Sequence, residues 1–131
     1  MTKFGDICSL LMATNTYTHW PLAKVYDCFG YPCMLDQCLL YRKSGSPVGI
    51  ITFAYVSDDA LEALLSGERV VQKHDWRSGK NLFVPDLLAP YGDVREMCEH
   101  FHKFVKKKHG VGFKAHWYRP ALKRTGYAKT R

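Results

Sequence analysis

Asp75-Trp76-Arg77-Ser78-Gly79-Lys80-Asn81-Leu82-Phe83-Val84-Pro85-Asp86-Leu87-Leu88-Ala89-Pro90-Tyr91-Gly92-Asp93 reads as a strand that carries one acid and then breaks into a helix. From Leu82 to Leu88 the residues are apolar apart from Asp86, next to Pro85 with its fixed φ. A carboxylate in a half-buried strand is costly unless it is hydrogen-bonded or paired, so Asp86 is a candidate site residue. Ala89-Pro90-Tyr91-Gly92 then has turn chemistry, and Asp93 suits a helix cap. Val94, Met97, Cys98, Phe101, Phe104 and Val105 follow at helical spacing. The free amides of that first turn are expected to face the strand end that carries Asp86.

Working outward, residues 4–13 read as an amphipathic helix through Phe4, Ile7, Leu10 and Leu11, followed by a Thr/Asn loop to Trp20. Pro21 suits the first turn of a second helix carrying Leu22, Val25, Tyr26 and Phe29. Gln37 to Lys43 and Val48 to Val56 read as a hairpin joined by Ser44-Gly45-Ser46-Pro47. Ser57 caps a helix through Leu61, Leu64 and Leu65 that ends at Gly67. A strand at 81–88, a helix from about 93 to 109 and a strand at 112–118 complete the order. The fold class is therefore α+β (mixed α/β). Helices pack on a mostly antiparallel sheet, which gains one parallel neighbour through the crossover from 82 to 118.

The 131 residues, 47% hydrophobic, suffice for one sizeable core, so a single domain over 1–131 is expected. No stretch approaches the ~20 apolar residues of a membrane span, and the amino terminus lacks the basic-then-apolar order of a signal peptide. A soluble, cytoplasmic chain follows as the expectation. The five cysteines (Cys8, Cys28, Cys33, Cys38 and Cys98) are odd in number and sit in apolar runs, which predicts reduced thiols. Paired CxxC knuckles are absent, so no metal is expected.

Charge is distributed unevenly. The first 99 residues hold nine cations against twelve acids, and the remaining ten cations, Lys103 to Arg131, meet no acid at all. A basic segment over 103–131, led by Lys103, Lys106, Lys107 and Lys108, suits an acidic partner or a polyanion. The last three of these also complement a helix C-terminus.

The paired segments Asp75-Trp76-x-Ser78-Gly79 and Asp86-x-x-Ala89-Pro90-Tyr91-Gly92-Asp93 resemble the toxin-activating lysine acyltransferases. So do Phe4-Gly5, His19-Trp20-Pro21-Leu22 and Ser46-Pro47-Val48-Gly49. That family acylates internal lysines of RTX protoxins with chains taken from acyl carrier protein. The resemblance covers roughly residues 4 to 119 and implies an N-acetyltransferase-like sheet and a His/Asp catalytic pair. Its Asp falls on Asp86. Counting back from Trp20-Pro21, its His falls on Tyr17, and the nearest imidazole is His19. The tail Ala121-Leu122-Lys123-Arg124-Thr125-Gly126-Tyr127 is similar to the Leu-x-x-x-Gly-aromatic ending of such enzymes.

On this resemblance His19 and Asp86 are the expected catalytic pair: a neutral imidazole takes the proton of the attacking lysine amine, and Asp86 holds its tautomer. Tyr17, Trp20, Tyr91, Gly92 and Arg95 are the expected contacts of the acyl donor. No bound cofactor is implied, only an acyl thioester co-substrate. The 89–93 segment lacks the glycine-rich loop of coenzyme A enzymes and ends on an acid, which favours acyl carrier protein over coenzyme A. The partners are then acyl carrier protein and a protein substrate. The alternative is a divergent, catalytically degenerate relative encoded by a bacteriophage. It would act in the cytoplasm or the virion through the basic segment on nucleic acid or in assembly, with Phe113, Trp117, Tyr118 and Tyr127 as stacking surfaces.

Overall fold

The computed structural model describes residues 2–119 and 122–131. In chain order the elements are α1 (Thr2–Met12), α2 (Leu22–Val25), a π-helical turn (Tyr26–Gly30), α3 (Tyr31–Met34), β1 (Cys38–Lys43) and β2 (Ser46–Val56). There follow α4 (Asp58–Leu65), a 3-10 turn (Lys73–Asp75), β3 (Asn81–Leu88), α5 (Val94–His109), β4 (Lys114–Arg119) and β5 (Arg124–Lys129). The strands form one sheet in the order β1-β2-β3-β4-β5. β1 with β2 and β4 with β5 are antiparallel, whereas β3 and β4 run parallel, as a helical crossover such as α5 permits. This is the expected α+β architecture with an N-acetyltransferase-like sheet. Among the described residues no helix is long and apolar enough to cross a membrane.

The residues divide into two compact units, Met1–Thr52 with Asp86–Met97 and Phe53–Pro85 with Cys98–Arg131. The first is organised by α1, whose Ile7, Leu10 and Leu11 lie on one helical face and are buried with Val25, Phe29, Cys38 and Ile50. Pro21 precedes α2 with ψ 148°, and its carbonyl accepts from the amides of Lys24 and Val25. The π turn that follows has a local cause. Pro32 carries no N–H to close an α-helical bond to the Cys28 carbonyl, so the helix widens just before it. At the β1–β2 bulge the register shifts between Tyr41 and Arg42, and Pro47 sits there, where a missing donor is tolerated.

One expectation is overturned in this unit. Cys33 and Cys38 form a disulfide with their Cα atoms 5.1 Å apart, rather than two of five reduced thiols. The backbone reverses after α3 to allow it: Asp36 takes φ 60°, and the amides of Leu35 and Gln37 donate back to the carbonyls of Tyr31 and Pro32. Cys8 and Cys28 are half-buried free thiols and Cys98 an exposed one. Alkylation of the unfolded, unreduced chain is therefore expected to label three cysteines, and all five only after reduction, as read by intact mass.

The second unit is pinned by the segment 75–79. Asp75 and Trp76 are buried at 1% and 2% exposure, and the Tyr55 amide donates to the Trp76 carbonyl. The Ser78 hydroxyl accepts from the Ser57 amide while the amides of Ser78 and Gly79 donate to the Tyr55 carbonyl. A side chain at 79 would strike the Val56 carbonyl and the Ser57 backbone, so only glycine fits. Ser57 caps α4 as expected, accepting from the Ala60 amide at 3.2 Å. On α5 the buried positions here are Phe101 and Val105, and Phe101 and Phe104 meet Phe53 at 5.9 and 5.5 Å. Cys98, expected on the apolar face, is exposed, as is Val94 of the first unit.

β5 was not expected as a strand. It takes up Arg124 to Lys129 of the tail, pairing Lys114 with Lys129 through to Arg119 with Arg124, while Ala121 lies outside the described residues. Gly126 lets the Trp117 ring lie across the strand, because any Cβ there would enter the indole. Gly126→Ala should cost about 1–3 kcal/mol by displacing that ring, seen as a lowered denaturant midpoint.

Candidate functional site

Asp86 is the acid of β3, and the structure places it within the first unit. Burial pushes its carboxyl up from an ordinary 3.8 to about 6. Two groups feel its charge. Burial first, and then Asp86 and Cys28, push the Tyr17 phenol up to about 12. Burial first, and then Asp86, push the Cys28 thiol up to about 11, with Lys24 pulling the other way. Tyr17, Cys28 and Leu88, the last two residues beyond Asp86, also pack on the same hydrophobic core. The π turn that Pro32 forces is thus what carries Cys28 and the fully buried Phe29 to this place.

Tyr17 is held by rings. Its ring meets Trp20 edge-on at 4.7 Å and Phe29 at 5.8 Å, and the Lys24 ammonium lies 4.0 Å over the Trp20 ring. The Trp20 amide donates to the Tyr17 carbonyl, closing the turn that sets both rings. Of the residues expected from sequence, the structure therefore gathers Asp86, Tyr17 and Trp20. His19, between the two rings in sequence, is exposed. Cys28 had no place in the sequence-based site. Its only signal is Pro32, four residues on, which marks a disrupted helix.

The loop after β3 is open. Tyr91 is 63% exposed, Arg95 is exposed, and Gly92 takes φ +93° with its amide donating to Ala89. The Asp93 carbonyl accepts the first helical bond from Met97, and its carboxylate pairs with Lys43 at 2.5 Å. Lys43 also approaches Glu96 at 3.5 Å, and both acids hold its ammonium above the usual range. In the second unit Lys103, Lys106, Lys107 and Lys108 are exposed on α5, with Lys108 5.7 Å over the Tyr55 ring. Among the described residues no group of three or more His, Cys, Asp or Glu is placed to hold a metal ion.

Chemically the first unit offers a carboxyl that titrates near neutrality, a phenol that stays protonated as a hydrogen-bond donor, and a thiol too weakly acidic to be a nucleophile. Residues 1–125 match the RTX toxin acyltransferase family, and the chain belongs to that family.

Two curated relatives bear on it. The chain is 35% identical over 72 residues to the lysine-acyltransferase RtxC of Vibrio cholerae serotype O1, covering 54% of this chain and 47% of that protein. It is 25% identical over 107 residues to the protein-lysine myristoyltransferase RtxC of Kingella kingae, covering 79% and 64%. The matches thus span about half to under two thirds of the relatives' own length.

Proposed function

We propose that this protein transfers an acyl group from a thioester donor to the ε-amine of a lysine on a protein substrate. Its family and the activities named for its two relatives support the reading. The observation that carries it is the Asp86 carboxyl, raised to about 6 beside a ring-locked Tyr17. In the proposed reaction a lysine that has given one proton to solvent attacks the thioester carbonyl. The new N–C bond forms as the C–S electrons leave with sulfur. Asp86, ionised at pH 7, takes the second amine proton and returns it to the thiolate or to water. Tyr17, which cannot act as a base at this pH, donates a hydrogen bond to the developing oxyanion.

The donor in this reading is acyl carrier protein rather than coenzyme A. Ala89 to Asp93 contains a single glycine, and Asp93 keeps Lys43 engaged, so a diphosphate meets neither a glycine-rich cradle nor a free lysine. His19 is the second proton acceptor the family resemblance allows. Because it is exposed while Tyr17 occupies the place beside Asp86, His19→Ala is expected to leave kcat within about threefold, whereas a loss of about 100-fold or more would move the base to His19. A non-catalytic relative is favoured by Tyr17 itself, which stands where the resemblance puts the family's imidazole. Intact-mass detection of acyl addition to a lysine-bearing acceptor, with acylated carrier protein as donor, decides between the two. Absence of transfer with any acyl thioester would remove the enzymatic reading.

A further inference from the structure

The register of the β4–β5 hairpin opposes like charges at both ends. Lys114 faces Lys129 and Arg119 faces Arg124, directly across the ladder. Side chains so placed have Cβ atoms about 4.5–5.5 Å apart, and like charges there repel. Lys123, at φ 48° before β5, and Arg131 after it extend the same charge, and from His100 onward the chain has no acid to offset it. A guard against edge-to-edge aggregation explains cations on β5 alone. It does not explain matching cations on β4, which add repulsion without guarding anything.

β5 ends the strand order, with β4 on its inner side. Five of its six residues are exposed, Gly126 under the Trp117 ring being the exception. We propose that the outer edge of β5 accepts an acidic, extended peptide as an added strand. The peptide backbone pairs with the free edge. The Lys114/Lys129 pair lies on one sheet face and the Arg119/Arg124 pair, five residues along, on the other, so acids on both faces of the added strand meet the cations at the two ends of the hairpin. Tyr127, 59% exposed, shares a strand face with Thr125 and Lys129 and supplies apolar contact between the charged ends. Its ring carries the Lys114 ammonium at 4.9 Å, which takes one face that a nucleobase would need. A phosphodiester chain also has no amides to pair with a strand edge. The β5 edge therefore favours a polypeptide over a nucleic acid as the polyanion. This surface is independent of acyl transfer and stands or falls separately from it.

The test is fluorescence anisotropy with a labelled peptide of alternating Glu-Glu and Thr-Thr pairs, which places acids on both faces of an extended strand. A second peptide of equal charge has proline at every third position, and a thymidine oligonucleotide is matched in charge. The alternating peptide should bind, protect the β5 amides from hydrogen exchange, and weaken about tenfold with Arg124→Gln and Lys129→Gln together. The proline-interrupted peptide should bind about tenfold more weakly, since it cannot pair along the edge. The neutralising changes are at exposed positions, and a parallel thermal melt confirms that the variant is folded. Equal binding of the two peptides, tighter binding of the oligonucleotide, or no binding of the alternating peptide would each overturn the proposal.

Discussion

Asp86→Asn should abolish acyl transfer while making the protein more stable at pH 7. The amide cannot take the amine proton, and loss of a positioned base removes about 10²–10⁴ in rate. Stability moves the opposite way, because the folded state holds this carboxyl at about 6 against an ordinary 3.8. For an acid with a raised folded value, folding favours the protonated form. Its contribution is fully present below about 4 and is lost as pH rises through about 6, so the ionised Asp86 is a burden at neutral pH. Removing it should return on the order of 1–3 kcal/mol, the lower end reflecting partial exposure of the residue. The matching rate profile falls as pH drops through about 6. A variant that lost activity and stability together would instead make Asp86 a structural acid.

Arg69→Ala is expected to produce the largest loss of stability. Asp75, 1% exposed, receives both guanidinium nitrogens of Arg69 at 2.5 and 3.0 Å, together with the Gln72 amide at 2.7 Å. Burial alone would raise this carboxyl. The bonds from Arg69 and Gln72 and the charges of Arg69 and His74 outweigh it and hold the group below its ordinary value. Without Arg69 the carboxylate is buried with its main counter-charge gone, a loss on the order of 3 kcal/mol. Asp75 also anchors the 75–79 segment against the end of β2, so β2 loses its bridge from Tyr55 to Arg77 with it. The sign of the pH effect is opposite to that of Asp86. A lowered folded value gives stability that is present above about 4 and lost as pH falls through the folded pKa. Chemical denaturation of wild type and variant at pH 7 and pH 3 should show the gap between them closing in acid.

Asp86 was legible because an ionisable group in an otherwise apolar strand stands out whatever the tertiary fold. Helices α1, α2, α4 and α5 and the first four strands were legible for the same local reasons, such as Ser57 at a cap or Gly67 after Leu65, whereas α3 and the short 3-10 turn at Lys73–Asp75 were not. β5 was not. Arg-Thr-Gly-Tyr-Ala-Lys has no alternating apolar face, and its strand state comes from pairing with β4 rather than from its own residues. The disulfide was hidden for a similar reason, since the left-handed turn at Asp36 that joins Cys33 to Cys38 leaves no compositional trace. Asp75-Trp76-x-Ser78-Gly79 marked the family in sequence, yet its local physics is that of a backbone clamp. Position 17 was recognised by counting, but only the rings of Trp20 and Phe29 show why an aromatic residue is stable there.

The first unit is assembled from two stretches of chain, Met1–Thr52 and Asp86–Met97, with Phe53–Pro85 between them belonging elsewhere. On a ribosome, Ile7, Leu10, Phe29 and Ile50 emerge well before Leu88, which packs on them, and before Asp93, which secures Lys43. At ~5–20 residues per second that interval lasts seconds, far longer than hydrophobic collapse. The apolar surface that Leu88 covers therefore stays exposed on the newborn chain for that interval. A fragment ending before Asp86 likewise has no complete unit to fold into.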